Sequence, residues 1–240
     1  MKIIEKKDNQ LSFTAEIDES LANSIRRYVN QIPILAIDEV EILKNNSPLY
    51  DETIAHRLGL IPLKTNKTGD KKNPKFKLSV KEEGTTYSKE LKGGEIIYGE
   101  MPITFLNKGQ ELEITGTTKL GKGTEHSKFS PGLLFYRRVV EVIVNKEFQE
   151  KISKIFPNNE IKEKGNKIII LDNKKQEISD VCEGICEQDG KSAEINPKDE
   201  LVITIESFGQ ISAEEIFKKS MEELKKDLLL VSKKIGKINW

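Results

Sequence analysis

Residues 10–33 read QLSFTAEIDESLANSIRRYVNQIP, and this stretch decides how the fold begins. Apolar and polar residues alternate over residues 10–17, which predicts a half-buried strand. A helix is predicted next, with Asp18 or Ser20 as its N-cap, because apolar residues then recur at three- and four-residue spacing until Pro33. The apolar stripe of this helix consists of Leu21, Ile25, Tyr28 and Val29.

The other end of the chain repeats the order of strand and helix. Alternation over residues 201–205 predicts a strand, and Ser212 with Glu215 forms a capping box ahead of a helix from Ala213 to Ile235. At 1.5 Å per residue, this helix is ~35 Å long. Its apolar residues follow a heptad-like seam: Phe217, Met221, Leu224, Leu228, Val231 and Ile235. From the pattern alone, the seam fits the chain's own sheet as well as a partner.

Between these ends, two regions differ in pattern. Residues 35–145 show short alternating segments separated by turns, which predicts a β-rich insert. Residues 147–200 form a smaller module, with a short helix before Pro157 and a strand at Lys167–Leu171.

Composition restricts the classes of function. The chain has 240 residues and a formal net charge of zero, with 39 basic and 39 acidic side chains. A protein that grips nucleic acid alone needs a surplus of positive charge, so this class is disfavoured. Neither a span of about 20 apolar residues nor a secretory signal is found, which predicts a cytoplasmic protein with no membrane contact.

Motifs of catalysis are absent from the sequence. It contains no phosphate-binding glycine loop, dinucleotide fingerprint, zinc-protease motif or nucleophile elbow. The acidic pair Asp38–Glu39 reads as solvated or salt-bridged carboxylates, and His56 and His126 read as structural hydrogen-bonding residues. We therefore expect no catalytic residue in this chain.

The two cysteines, Cys182 and Cys186, are separated by three residues. A mononuclear zinc site needs four ligands and an iron–sulfur cubane needs at least three cysteines. This count disfavours a second class of function, a small redox or metal protein built around the pair.

Several segments together carry a resemblance to a known family. They occur in family order over nearly the whole chain. They are LANSIRRY at 21–28, IPILAIDEV at 32–40, NSPLYDE at 46–52, AHRLGLIPL at 55–63, KGQEL at 108–112, GKGTEHSKFSPG at 121–132 and IESFGQ at 205–210. The chain resembles the family of D-type subunits of archaeal RNA polymerase, which is similar to the third-largest subunit of eukaryotic polymerase II and to the bacterial alpha subunit.

This resemblance implies an α+β fold with a discontinuous, alpha-like dimerisation domain made of residues 1–38 and 201–240. The β-rich insert would occupy residues 39–146, and a ferredoxin-like module residues 147–200. It also implies a non-catalytic assembly subunit of a nucleotidyltransferase complex, which meets DNA and RNA only through the assembled enzyme.

The resemblance further implies the partners. Subunit L is expected to bind the seam together with the stripe of the first helix, that is, Leu21, Ile25, Tyr28, Val29, Phe217, Met221, Leu224, Leu228 and Val231. The second-largest subunit and the small subunits N and P would dock on the joint platform. The polar contact residues would be Arg26, Arg27, Asp51, Glu52, His56 and Arg57.

In one respect the chain departs from the family. Many members of this family carry a cluster motif of spacing C-x2-C-x2-C-x3-C, and here Gln176 and Ser179 stand at its first two positions. Cys182 and Cys186 are thus a remnant of the motif, and we expect a ferredoxin-like scaffold without metal or iron–sulfur cofactor.

Overall fold

The computed structural model describes residues 1–65 and 74–236, which contain eleven strands and five helices. The strands are β1 (Lys2–Lys7), β2 (Gln10–Ala15), β3 (Pro33–Asn45), β4 (Lys75–Val80), β5 (Gly84–Tyr87), β6 (Pro102–Leu106), β7 (Leu112–Lys122), β8 (Gly132–Asn145), β9 (Ile161–Lys164), β10 (Lys167–Leu171) and β11 (Glu194–Ser207). The helices are α1 (Glu19–Tyr28), α2 (Asp51–Gly59), α3 (Gln149–Ile155), α4 (Ser179–Gln188) and α5 (Ala213–Ile235). The α+β class is confirmed.

The chain divides into two compact units, and each is discontinuous in sequence. The first unit comprises residues 1–23 and 135–204, and the second comprises residues 24–134 and those from 205 onward. The domain boundaries expected from the sequence were taken from the family resemblance, whereas these two units are defined by compactness. The expected boundaries therefore stay a prediction.

The first unit is built on a six-stranded sheet of order β1-β2-β11-β8-β10-β9. Strands β8 and β10 pair antiparallel, with Ile168 opposite Val144 and Ile170 opposite Val142. These side chains and helices α3 and α4 form one apolar cluster. Its buried members are Val140, Val142, Val144, Phe148, Ile152, Phe156, Ile168, Ile170, Ile178, Cys182 and Cys186.

The second unit contains the three-stranded sheet β3-β7-β4 and the hairpin β5-β6. Its core is aliphatic with one phenylalanine: Ile37, Ile54, Leu58, Ile61, Leu63, Phe76, Leu78, Leu91, Ile103, Leu106, Leu112 and Ile114. The expectation of strands and turns alone for this region was wrong, because it omitted α2. Ile54 and Leu58 lie four residues apart on the buried face of that helix, and Asp51 and Glu52 stand in its first turn, where negative charge favours helix formation.

Element bounds agree with the sequence where the apolar pattern is unbroken. Helix α5 and strand β10 have the predicted bounds. Strand β11 begins at Glu194, earlier than the predicted start at residue 201, and runs through Pro197. Residues around Pro197 are exposed, and a proline is tolerated there because its missing N–H leaves no buried group unpaired.

Candidate partner-binding surface

Helix α5 begins and ends as its sequence dictates. The Ser212 Oγ accepts a hydrogen bond from the Glu215 backbone N–H at 3.3 Å, which makes it the N-cap. Glu214 and Glu215 stand in the first turn and Lys233 and Lys234 in the last, so the charges complement the helix dipole at both ends.

The first two turns of α5 are packed within the second unit. Ala213, Ile216 and Ser220 are buried, and Ile216 is fully inaccessible. The Ser220 hydroxyl donates to the Phe217 carbonyl at 2.8 Å, so its burial leaves no unpaired group. This half of the helix is held by the chain itself.

The last three turns of α5 project their apolar side chains into solvent. Every residue from 225 to 236 is exposed. The exposed fractions are 60% for Leu228, 51% for Leu229, 56% for Leu230, 53% for Val231 and 49% for Ile235. A continuous apolar surface of this kind on a polar chain is typical of a protein interface.

These residues surround the helix rather than following one stripe. At 100° per residue, Leu228, Val231 and Ile235 share a face, whereas Leu229 and Leu230 point to the other sides. The sequence seam includes the first three and omits Leu229 and Leu230, although the run of three leucines at 228–230 signals them. One turn of α5, residues 228–231, is therefore apolar on all sides.

A hydrogen bond fixes α5 near the point where it becomes exposed. The Tyr28 hydroxyl at the end of α1 donates to Asp227 Oδ2 at 2.9 Å. This bond to a carboxylate raises the pKa of Tyr28 above its ordinary value of 10, because the neutral phenol is the donor. The bond orients the helix just before Leu228.

The other residues predicted to bind subunit L vary in accessibility. Leu21 is 44% exposed and Tyr28 is half-buried, whereas Ile25 and Val29 are buried inside the chain. On α5, Phe217 and Leu224 are half-buried and Met221 is 39% exposed. The contact of each with a partner stays a prediction.

The predicted polar contact residues lie on the exposed faces of two helices. Arg26 and Arg27 are exposed near the end of α1. On α2, Asp51, Glu52, His56 and Arg57 are exposed. Asp51 accepts a hydrogen bond from Asn45 Nδ2 at 2.6 Å, and Arg57 Nη1 donates to the Ile103 carbonyl at 2.8 Å. The buried Ile54 and Leu58 fix the orientation of α2.

His126 and Asp38 have the structural roles expected from the sequence, a hydrogen bond and a salt bridge. The His126 Nδ1 accepts a hydrogen bond from the Lys128 backbone N–H at 3.1 Å and caps a short 3-10 turn. Asp38 accepts from Lys128 Nζ at 2.6 Å, and this ion pair lowers the pKa of its carboxyl. Neither arrangement prepares a group for proton transfer.

The cysteine pair lies inside the first unit. Cys182 and Cys186 are free thiols, both fully buried on the inner face of α4. Burial raises the pKa of Cys182 to about 11 and also raises the pKa of Cys186. The described residues supply two thiols, whereas an iron–sulfur cubane needs at least three cysteines. Among residues 1–65 and 74–236, no group of three metal-binding side chains is found. This donor set does not fit an iron–sulfur cluster.

In the same described ranges, no helix has both the length and the apolar character needed to cross a lipid bilayer.

Comparison with known proteins gives a consistent result. Residues 13–228 match the family described as RNA polymerase Rpb3/Rpb11 dimerisation domain. The chain is 32% identical to DNA-directed RNA polymerase subunit Rpo3 of Pyrococcus horikoshii, over 91% of this chain and 90% of that protein. It is 30% identical to Rpo3 of Pyrobaculum calidifontis, over 88% and 86%, and 28% identical to Rpo3 of Archaeoglobus fulgidus, over 94% and 93%.

Proposed function

This chain belongs to the RNA polymerase Rpb3/Rpb11 dimerisation-domain family, and we propose that it pairs with subunit L of the polymerase through the exposed end of α5. It is a non-catalytic assembly subunit of a DNA-directed RNA polymerase, a nucleotidyltransferase complex, and it is similar to the archaeal Rpo3 subunits over most of its length.

The observation that carries the proposal is the apolar surface formed by Leu228, Leu229, Leu230, Val231 and Ile235, each about half exposed. Burying a large aliphatic side chain completely is worth about 1.5–3 kcal/mol, so covering these five would yield roughly 4–7 kcal/mol before the cost of association. Interfaces between obligate partners have this apolar character.

Within this interface, the predicted residues would act in two ways. Leu21, Met221 and Leu228 are exposed and would contact subunit L directly. Ile25 and Val29 are buried, so they would support the surface from within by holding α1 in place. The half-buried Phe217 and Leu224 would form the floor on which partner side chains pack.

The polar surface would serve the other partners. Arg26 and Arg27, with Asp51, Glu52, His56 and Arg57 of α2, offer charged groups that pair with a protein surface. We assign this surface to the second-largest subunit, with small subunits N and P docking on the same platform. DNA and RNA would be met only through the assembled enzyme, in the cytoplasm.

The ferredoxin-like module would function without a cluster. Cys182 and Cys186 are packed among aliphatic side chains, and this packing supports a role in the core. Iron and acid-labile sulfide assays on the purified protein should find neither; stoichiometric iron with sulfide would overturn this assignment.

Replacing Leu224 and Leu228 by glutamate tests the pairing. The two introduced carboxylates would have to be desolvated in the interface, which costs several kcal/mol. We expect the variant to lose co-purification with a co-expressed subunit L, while its circular dichroism stays that of the parent.

The matched control is Lys218→Glu. Lys218 is exposed on α5 about 100° from the centre of the seam, and its replacement changes the net charge by the same two units. This variant should retain subunit L. Undiminished heterodimer in the double glutamate variant would count against the seam.

A further inference from the structure

A groove of about 300 Å³ lies in the second unit beside α2. Residues that precede α2, one residue of α2, and residues of strands β5 and β6 surround it: Pro48, Leu49, Arg57, Thr85, Pro102, Thr104 and Phe105. None of its lining residues belongs to α5, through which the pairing with subunit L is proposed.

The walls of this groove are mostly apolar, and one aromatic side chain, that of Phe105, lines it. Phe105 is 48% exposed. Exposed aromatic residues beside an apolar recess are typical anchors of protein–protein contacts. These features indicate a surface on which a partner's apolar side chain is seated.

One cation lines the groove, and its position is fixed. Arg57 Nη1 donates to the Ile103 carbonyl at 2.8 Å, which leaves Nε and Nη2 as donors in a fixed orientation. In residues 1–65 and 74–236, no carboxylate forms an ion pair with Arg57 within 4.0 Å. The groove therefore carries a single uncompensated positive charge, which one partner carboxylate would balance.

The hairpin beside the groove holds two buried hydroxyls without a hydrogen-bond partner. Thr86 and Thr104 are opposite each other in β5 and β6, are 1% and 4% exposed, and have unpaired Oγ1 atoms in the described structure. Buried polar groups are normally hydrogen-bonded. Thr104 lines the groove, but its Oγ1 is buried, so this hydroxyl is closed to a partner and does not contribute to recognition.

We propose that this groove seats a segment of a neighbouring polymerase polypeptide in which a carboxylate stands next to an apolar side chain. The carboxylate binds the Arg57 guanidinium and the apolar side chain packs against Phe105 and Pro102. A phosphate of nucleic acid fits less well, because the apolar walls offer one cation only. The inference rests on the proposed function, since it takes the partner from the assembled polymerase.

Photo-crosslinking in the assembled polymerase tests this directly. Phe105 is replaced by p-benzoylphenylalanine, which keeps an aromatic ring at the rim, and the crosslinked peptide is identified by mass spectrometry. We expect one partner peptide with Asp or Glu within three residues of the crosslink. The same probe at Lys108, an exposed turn residue of the same unit, should not capture that peptide.

The role of Arg57 is tested in the same complex. Arg57→Gln should lower the crosslink yield roughly tenfold or more, because the partner carboxylate loses its counter-charge. Arg57→Glu combined with Lys in place of the identified carboxylate should restore the yield. This rescue separates loss of the ion pair from loss of the fold.

Failure of this inference is distinguishable from failure of the pairing. Arg57 is on α2, so Arg57→Gln should still co-purify with subunit L. If pairing with subunit L is retained, four results would overturn the groove inference and leave the proposed function standing. They are no crosslink from position 105, a crosslink to nucleic acid, a captured segment without a carboxylate, and a crosslink yield that does not depend on Arg57. Loss of subunit L from the parent complex would instead count against the proposed function.

Discussion

Helices α4 and α5 are both amphipathic, yet their apolar faces meet opposite surroundings. On α4, Cys182 and Cys186 are fully buried within one unit of the chain. On α5, Leu228 and Val231 are 60% and 53% exposed. The cysteines have the spacing of a metal-binding motif but are packed as core residues. Leu228 and Val231 have the spacing of core residues but are exposed. Periodicity shows that a face needs covering, not which polypeptide covers it.

The two halves of α5 should differ most in their response to truncation. Ile216→Ala removes a fully buried side chain and should lower the free energy of unfolding of the isolated chain by about 2–5 kcal/mol. In dilute solution, where the isolated chain is monomeric, Leu228→Ala should lower it by less than ~0.5 kcal/mol, because the side chain is exposed. Urea unfolding followed by circular dichroism measures both.

The effect of Leu228→Ala should become large when the affinity for subunit L is measured instead of the stability of the isolated chain. Leu228→Ala should weaken binding to subunit L, whereas in the isolated chain it is nearly silent. Equal losses of stability for Ile216→Ala and Leu228→Ala in the isolated chain would show that the end of α5 is covered by the chain itself.

The closed face of α4 should resist polar substitution and thiol reagents. Cys182→Ser places a hydroxyl in an aliphatic cluster and should cost about 1–3 kcal/mol, whereas Cys182→Ala should cost less because it introduces no polar group. Because burial raises the pKa of Cys182 to about 11, the native thiol should not react with iodoacetamide at pH 8, and it should react fully in denaturant. Rapid alkylation of the native protein at pH 8 would contradict its burial.

The start of α5 should depend on its cap. Ser212→Ala removes the acceptor for the Glu215 N–H and should cost about 1 kcal/mol of stability. Ser212→Asp supplies another acceptor and should retain most of it. If both variants lose the same amount, the side-chain hydrogen bond is not what stabilises the first turn.

The smallest effect is expected at the bond between α1 and α5. Tyr28→Phe removes the donor to Asp227 and should cost less than about 1 kcal/mol at neutral pH. Since the pKa of Tyr28 is raised in the folded chain, the stabilising contribution of this bond is complete below pH 10. It is lost as the pH rises through the folded value. The difference in stability between parent and Tyr28→Phe should therefore vanish at strongly alkaline pH.

The sequence was sufficient where pattern and capping agree locally. Helix α5 from Ala213 to Ile235 and strand β10 have the predicted bounds, because each has unbroken periodicity and clear ends. Helix α4 was missed, although Ile178, Cys182 and Cys186 recur at four-residue spacing, because the pair was interpreted as a ligand remnant. Helix α2 was missed because it has only two buried residues, Ile54 and Leu58, and one repeat of four-residue spacing is too little to indicate a helix.

Of the candidate surface, the sequence predicted the seam but not its extent. Leu229 and Leu230 have no place in a heptad, and their exposure follows only from the path of α5 beyond its packed turns. The apolar stripe predicted to bind a partner from the first helix includes Ile25 and Val29, which the chain buries itself. The exposure of a side chain depends on long-range packing, which a periodic pattern in the sequence does not reveal.

The dependence of this chain on subunit L can be measured as molar mass, by light scattering during size exclusion with and without subunit L. We expect the chain alone to self-associate or aggregate through α5, and a stable one-to-one heterodimer to form when subunit L is present. A stable, well-folded monomer of 27.3 kDa that is indifferent to subunit L would contradict it.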